Sequence, residues 1–172
     1  MATYTLISSV TVGSGGAASM TFTSIPATYT DLVLKISARF TQSGSGTLIE
    51  VTFNNSSTSY TNKRIYSNGS NSFSDSVGTT YIMTLAASEG GWTANTFGNG
   101  ELYIPNYTSS NNKSVSADWV TENNATTALS GLSAGLWSNS SAITSIKLAG
   151  ETGSNLTFAQ YSTAYLYGIS NA

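Results

Sequence analysis

Eight carboxylates, Asp31, Glu50, Asp75, Glu89, Glu101, Asp118, Glu122 and Glu151, are the chain's candidates for acid–base chemistry. A glycosidase sets two such groups about 5–9.5 Å apart across a sugar. The nearest pair on one expected strand is Asp118 and Glu122, whose α-carbons lie about 13 Å apart on one face. That spacing is too long for retention and awkward for inversion, so both read as solvated charges. A nucleophilic serine needs a base, and the chain has no histidine. Ser110-Asn111-Asn112-Lys113 has the Ser-x-x-Lys spacing of penicillin-recognising enzymes. Its Ser-Asp-Asn and Lys-Thr-Gly companions are missing, and no helical pattern follows it. Gly98-Asn99-Gly100-Glu101 opens no helix and so does not cradle phosphate. With no cysteine there is neither a disulfide framework nor a thiolate metal site. No EF-hand spacing is present. The reading is a protein that is not an enzyme, with no catalytic residue, no cofactor and no metal ligand.

Aromatic residues are the remaining informative class: ten Tyr, six Phe and three Trp. Trp119 and Trp137 lie inside strand patterns and are expected in the core. Trp92 follows Gly90-Gly91 in an expected loop, where an exposed indole can stack on a sugar or fill a partner's pocket. Tyr60, Tyr66 and Tyr107 join it as candidate ligand- or partner-binding residues.

The chemical character of the surface limits the partners. Charged residues are 8% of the chain, against a usual ~25%. Formal net charge is −2, the pI is about 4.8 and mean hydropathy is −0.03. Ser, Thr and Asn number 30, 25 and 15, so uncharged polar groups replace the missing charges. The six basic residues are scattered except for Lys63-Arg64. Binding to nucleic-acid phosphates or to a membrane surface needs a clustered basic face, so neither partner is expected. No window approaches the ~20 apolar residues of a bilayer span, and the first residues lack the pattern of a secretory signal. Yet a cysteine-free, hydroxyl-rich surface suits life outside cells. A virion protein, made in a host cytoplasm and then carried on the particle exterior, reconciles the two. A secreted domain stripped of its signal has the same composition.

The elements that must position these residues are strands. Apolar and polar residues alternate over 31–41, with Leu32, Leu34, Ile36, Ala38 and Phe40 on one face. Similar patterns cover 3–12, 18–25, 47–54, 79–86, 96–107, 113–122, 127–137, 142–148, 155–158 and 162–169. Ser43-Gly44-Ser45-Gly46 is expected to be a turn, and 54–71 a long loop enclosing a short strand near 63–66. About ten short strands, separated by Gly, Asn and Ser, predict an all-β fold: one domain over 1–172, an antiparallel two-sheet sandwich, jelly-roll-like.

Several stretches together carry a resemblance. They are Ala2-Thr3-Tyr4-Thr5-Leu6-Ile7-Ser8-Ser9-Val10-Thr11-Val12-Gly13, Phe22-Thr23-Ser24-Ile25-Pro26-Ala27-Thr28-Tyr29-Thr30-Asp31-Leu32, Gly100-Glu101-Leu102-Tyr103-Ile104-Pro105-Asn106-Tyr107, Gly135-Leu136-Trp137-Ser138 and Ala164-Tyr165-Leu166-Tyr167-Gly168-Ile169. Over nearly the whole chain the sequence resembles small virion structural proteins of tailed bacteriophages, particularly those of marine and cyanobacterial hosts. The resemblance implies a jelly-roll or sandwich protein on the capsid or a tail appendage, most simply a capsid decoration (cement) protein, often trimeric. The implied partners are the major capsid protein or other virion proteins and further copies of itself. The alternative is a tail-fibre or receptor-binding module that recognises host surface glycan.

Overall fold

In Lys113–Glu122 every second side chain, from Lys113 through Val115, Ala117 and Trp119 to Thr121, is buried, and every one between is exposed. Such strict alternation marks a strand with one face on the core and one in water. The structure, a computed structural model, describes residues 2–43, 48–76, 79–124 and 126–170, with the backbone alone at 83 and 84. Among these residues all regular structure is strand. The elements are β1 (Thr3–Thr11), β2 (Ser19–Phe22), β3 (Asp31–Ala38), β4 (Leu48–Phe53), β5 (Tyr60–Ser67), β6 (Ser72–Ser76), β7 (Ile82–Ala86), β8 (Gly98–Ile104), β9 (Lys113–Glu122), β10 (Ala128–Trp137), β11 (Ile146–Gly150) and β12 (Thr163–Ser170).

Two antiparallel sheets form a sandwich. The larger has eight strands in the order β1-β12-β3-β8-β9-β10-β5-β6, the smaller four in the order β2-β11-β4-β7. Apart from β5–β6 and the run β8–β9–β10, consecutive strands alternate between the sheets. The pairings β1 with β12, β2 with β11, β3 with β8 and β4 with β7 describe a double ribbon wound back on itself. The strand pairs β5–β6 and β9–β10 widen the large sheet on one side. There β7, at the border of the small sheet, packs across β8, β9, β10 and β5. The core between the sheets includes Phe22, Leu34, Phe40, Phe53, Trp137 and Phe158.

Asparagine content has a structural reason. Of nine non-glycine residues with positive φ among those described, six are asparagines: Asn54, Asn55, Asn95, Asn106, Asn124 and Asn155. This side chain tolerates the left-handed region and hydrogen-bonds locally. Asn54 goes further. Its Oδ1 accepts from the backbone amides of Thr144 and Ser145, at 2.8 and 3.1 Å, tying the end of β4 to the loop before β11.

Three expectations change. The stretch 54–71 contains the eight-residue β5 rather than a short strand, and β6 follows it unannounced. The run 155–158 is no strand: Phe158 makes isolated bridges to Ala17 and Phe40, and the segment plugs the sandwich end with Leu156 and Phe158. Strand β11 begins at Ile146, four residues later than the pattern implied. Of the expected turn over 43–46, only Ser43 lies within the described residues, and Thr47, where the next strand was expected to begin, also lies outside them.

Candidate functional site

Trp92 sits half-buried in the loop between β7 and β8, and one side chain shapes that loop. Arg39, just past β3, directs its guanidinium at four carbonyls: Gly90 (3.1 Å), Trp92 (3.0 Å), Thr93 (3.0 Å) and Thr96 (3.0 Å). A fifth contact goes to Thr96 Oγ1 at 3.2 Å. The planar fork of five N–H donors suits this use, where a lysine could reach fewer acceptors. Glycine is required at position 90, because a Cβ there would collide with the carbonyl of Thr41. Trp92 is thus carried on a fixed loop.

The same Arg39 joins a second segment. Its amide donates to Ser162 Oγ and its carbonyl accepts from Ala159 N–H at 2.7 Å. Next to these lies Tyr161, 69% exposed and at φ +71°. A bulky residue in the left-handed region is a genuine outlier, of the kind concentrated at functional positions. The sequence reading missed Tyr161, because nothing in Gln160-Tyr161-Ser162 marks a strained turn.

Tyr66 belongs to an aromatic ladder across the large sheet. It stacks on its cross-strand neighbour Phe73, with centroids 5.0 Å apart and 23° between planes, and lies 6.4 Å from Trp119. Between Trp119 and Tyr66 stands Gly131, where a Cβ would run into the indole. Arg64 Cζ lies 4.7 Å from the centroid of the Tyr66 ring, a cation–π contact. Arg64 is held by a two-pronged bond to Asp75, Nε to Oδ1 at 2.7 Å and Nη2 to Oδ2 at 2.8 Å. This pairing keeps the Asp75 carboxyl below its ordinary pKa.

Tyr60 and Tyr107 must be corrected as binding residues: both are fully buried and present no ring face to a ligand. Tyr60 stacks on Trp137, and its hydroxyl accepts from Phe53 N–H at 2.8 Å. Tyr107 donates its hydroxyl proton to the carbonyl of Pro26. Burial raises the pKa of both phenols. The four aromatic candidates do not converge. Tyr60 and Trp137 stand in the row of Lys113, six residues and about 20 Å along the strand from the row of Trp119 and Tyr66. Trp92 lies on the loop that contacts Asn123, just past β9, at the other end from Tyr60.

The Ser-x-x-Lys spacing resolves into packing. Lys113 is buried, and its ammonium donates to the carbonyls of Ser109 (2.7 Å), Asn111 (2.5 Å) and Asn139 (3.4 Å). Asp118 and Glu122 both point outward from β9, as their spacing requires. Among the described residues no three carboxylates gather where they could hold a metal ion.

What does gather is apolar surface on the outer face of the large sheet. Leu132 stands opposite Ile65 on one side and Asp118 on the other, with Val120 one row along. Leu132 is 57% and Ile65 58% exposed, and Val120 is exposed too. They wall a shallow groove whose floor is the backbone around Gly131. Farther across the face, on β1 and β12, Tyr4, Leu6 and Tyr165 are exposed as well. In comparisons with family models, with curated proteins and with solved structures, nothing matches this chain.

Proposed function

We propose that this protein is a structural component of a bacteriophage particle, a capsid decoration protein without catalytic activity. Its winding fits a jelly roll, in which eight framework strands pair first with last, second with seventh and so inward. The observation that carries the reading is the open outer face of the eight-stranded sheet. Ile65, Leu132 and Val120 form an apolar centre there, surrounded by Ser67, Ser72, Ser74 and Ser130. Contiguous exposed apolar surface rimmed by polar groups marks a protein-binding face. Serine hydroxyls over most of its margin hydrogen-bond across a wet interface, and Asp118, opposite Leu132 on the same face, adds a carboxylate that a partner must pair or leave solvated. A broad, shallow face suits another broad surface, here the capsid shell.

Purified protein added to stripped particles is expected to rebind and to raise their melting temperature. Unchanged melting of fully reconstituted particles would overturn the reading.

A second reading has its own observation. Trp92, on a loop fixed by Arg39, and the exposed Tyr161 lie on segments that Arg39 joins. Rigid aromatic rings are what a glycan-recognising tail module needs. Copy number separates the two: hundreds per particle for the shell, about a dozen for a tail. Binding of host polysaccharide that disappears in Trp92→Ala would favour the tail.

A further inference from the structure

The four sheet edges are not equivalent. β2 has four residues, β7 five, and β6 five including Asp75. Shortness and charge are two of the means by which edges avoid pairing with other chains. β1 has neither. Its nine residues, Thr-Tyr-Thr-Leu-Ile-Ser-Ser-Val-Thr, include no charge, no proline and no glycine, and most of them are exposed on both faces. Among the described residues its outer side pairs with nothing. One device is present: the register shifts between Leu6 and Ser8, so Ile7 forms a bulge. Past the bulge the ladder to β12 is regular, and the hydrogen bond from Val12 N–H to Ser162 O at 2.9 Å sets its phase. In that phase Val10 faces β12, while the backbone groups of Ser9 and Thr11 point away from the sheet.

We propose that β1 pairs antiparallel with β1 of a second copy, making a two-fold dimer with one continuous sheet of sixteen strands. Only an extended strand can satisfy alternating N–H and C=O groups along such an edge. The chemistry favours the strand itself as the occupant. Antiparallel self-pairing places β1 residues opposite β1 residues, and a charged strand would there set like charges face to face. With no charge in β1, and none in β12 behind it, self-pairing meets no repulsion. The edge is about 30 Å long. Covered on both copies it buries on the order of 1,000 Å², at the lower end of specific interfaces. That area fits a reversible dimer.

The symmetry has a consequence for the shell-binding reading. A two-fold axis between identical antiparallel strands stands normal to the sheet. Both outer faces, with their Ile65–Leu132 patches, therefore point the same way, and one dimer can engage a surface twice. The pairing itself does not rest on what the face binds. It closes at two copies, so the trimer implied by the resemblance would need another surface.

The test uses the isolated full chain. Sedimentation equilibrium over a thousandfold concentration range is expected to show a monomer–dimer equilibrium. Leu6→Lys places a like charge on each copy. Ser9→Pro removes an outward N–H without touching the ladder to β12. Each is expected to weaken association at least tenfold, with circular dichroism unchanged. In the unaltered chain, amide exchange at Ser9 and Thr11 is expected to slow as concentration rises. A monomer at every concentration, an oligomer indifferent to both variants, or concentration-independent exchange at Ser9 and Thr11 would each overturn the proposal. A failure here leaves rebinding to stripped particles to be judged separately.

Discussion

Arg39 shows how one side chain replaces secondary structure. The segment 89–96 is without strand, and the carbonyls of Gly90, Trp92, Thr93 and Thr96 turn inward to a single guanidinium. Lys113 does the same for a smaller set, gathering the carbonyls of Ser109 and Asn111 from one loop and Asn139 from another. In a chain with only six basic residues, two serve to organise loops rather than to meet partners. Removing either leaves turned-in carbonyls without donors, and such groups cost about 1–3 kcal/mol each when buried. Because the Arg39 loop is partly solvated, Arg39→Ala is expected to destabilise the protein by about 2 kcal/mol in all. It should also shift Trp92 fluorescence to longer wavelength as the loop opens. Denaturant titration with Trp emission as one probe and circular dichroism as another checks both. Arg39→Lys should recover only part of the loss, since a single ammonium cannot reach five acceptors.

At the scale of elements, the period-two pattern located most strands because burial on one face is what the pattern records. β9 matches its expected bounds, and Trp119 and Trp137 are buried as expected. β6 escaped because Ser-Phe-Ser-Asp-Ser contains a single apolar residue; tertiary pairing to β5 makes it a strand. The run 155–158 misled for the opposite reason. Leu156 and Phe158 alternate as a strand would, yet they fill the end of the sandwich from a loop. β6 is also where the fold depends on one ion pair. Arg64 and Asp75 face each other across the β5–β6 ladder, and the guanidinium holds the carboxyl below its ordinary value of 3.8. For a carboxylate with a lowered folded-state pKa, the stabilisation is present above the ordinary value and is lost as pH falls through the lowered one. With Asp75 about a third exposed, the contribution is discounted to about 0.5 kcal/mol. Asp75→Asn should therefore cost this amount at pH 7 and progressively less as pH falls through and below the ordinary carboxylate value. Chemical denaturation at pH 7, 4 and 2.5 reads the difference, and a constant gap at every pH would refute the linkage.

For the whole molecule, the candidate site was less legible than the fold, and for a physical reason. Sequence patterns report which side of a strand is buried, but they do not report where the second sheet stops. Ile65 and Leu132 alternate correctly, yet they face water because no element among the described residues covers the outer face of the large sheet. Tyr60, expected in a polar loop, and Tyr107, expected at the end of a strand over 96–107, are in the core because the β5 strand and the loop before β9 fold inward. The outer face and the Trp92 loop are separate surfaces, so substitutions can test them independently. Ile65→Lys with Leu132→Glu changes two exposed side chains and is expected to leave the melting temperature of the isolated protein within a few degrees, since surface changes typically cost no more than ~0.5 kcal/mol each. On stripped particles the same double variant should lose rebinding, because opposite charges that can pair within one molecule still leave the apolar centre hydrated and its hydroxyl margin displaced. Trp92→Ala should rebind normally. The reverse pattern, with rebinding intact in the double variant and polysaccharide binding abolished in Trp92→Ala, would move the protein from the shell to the tail.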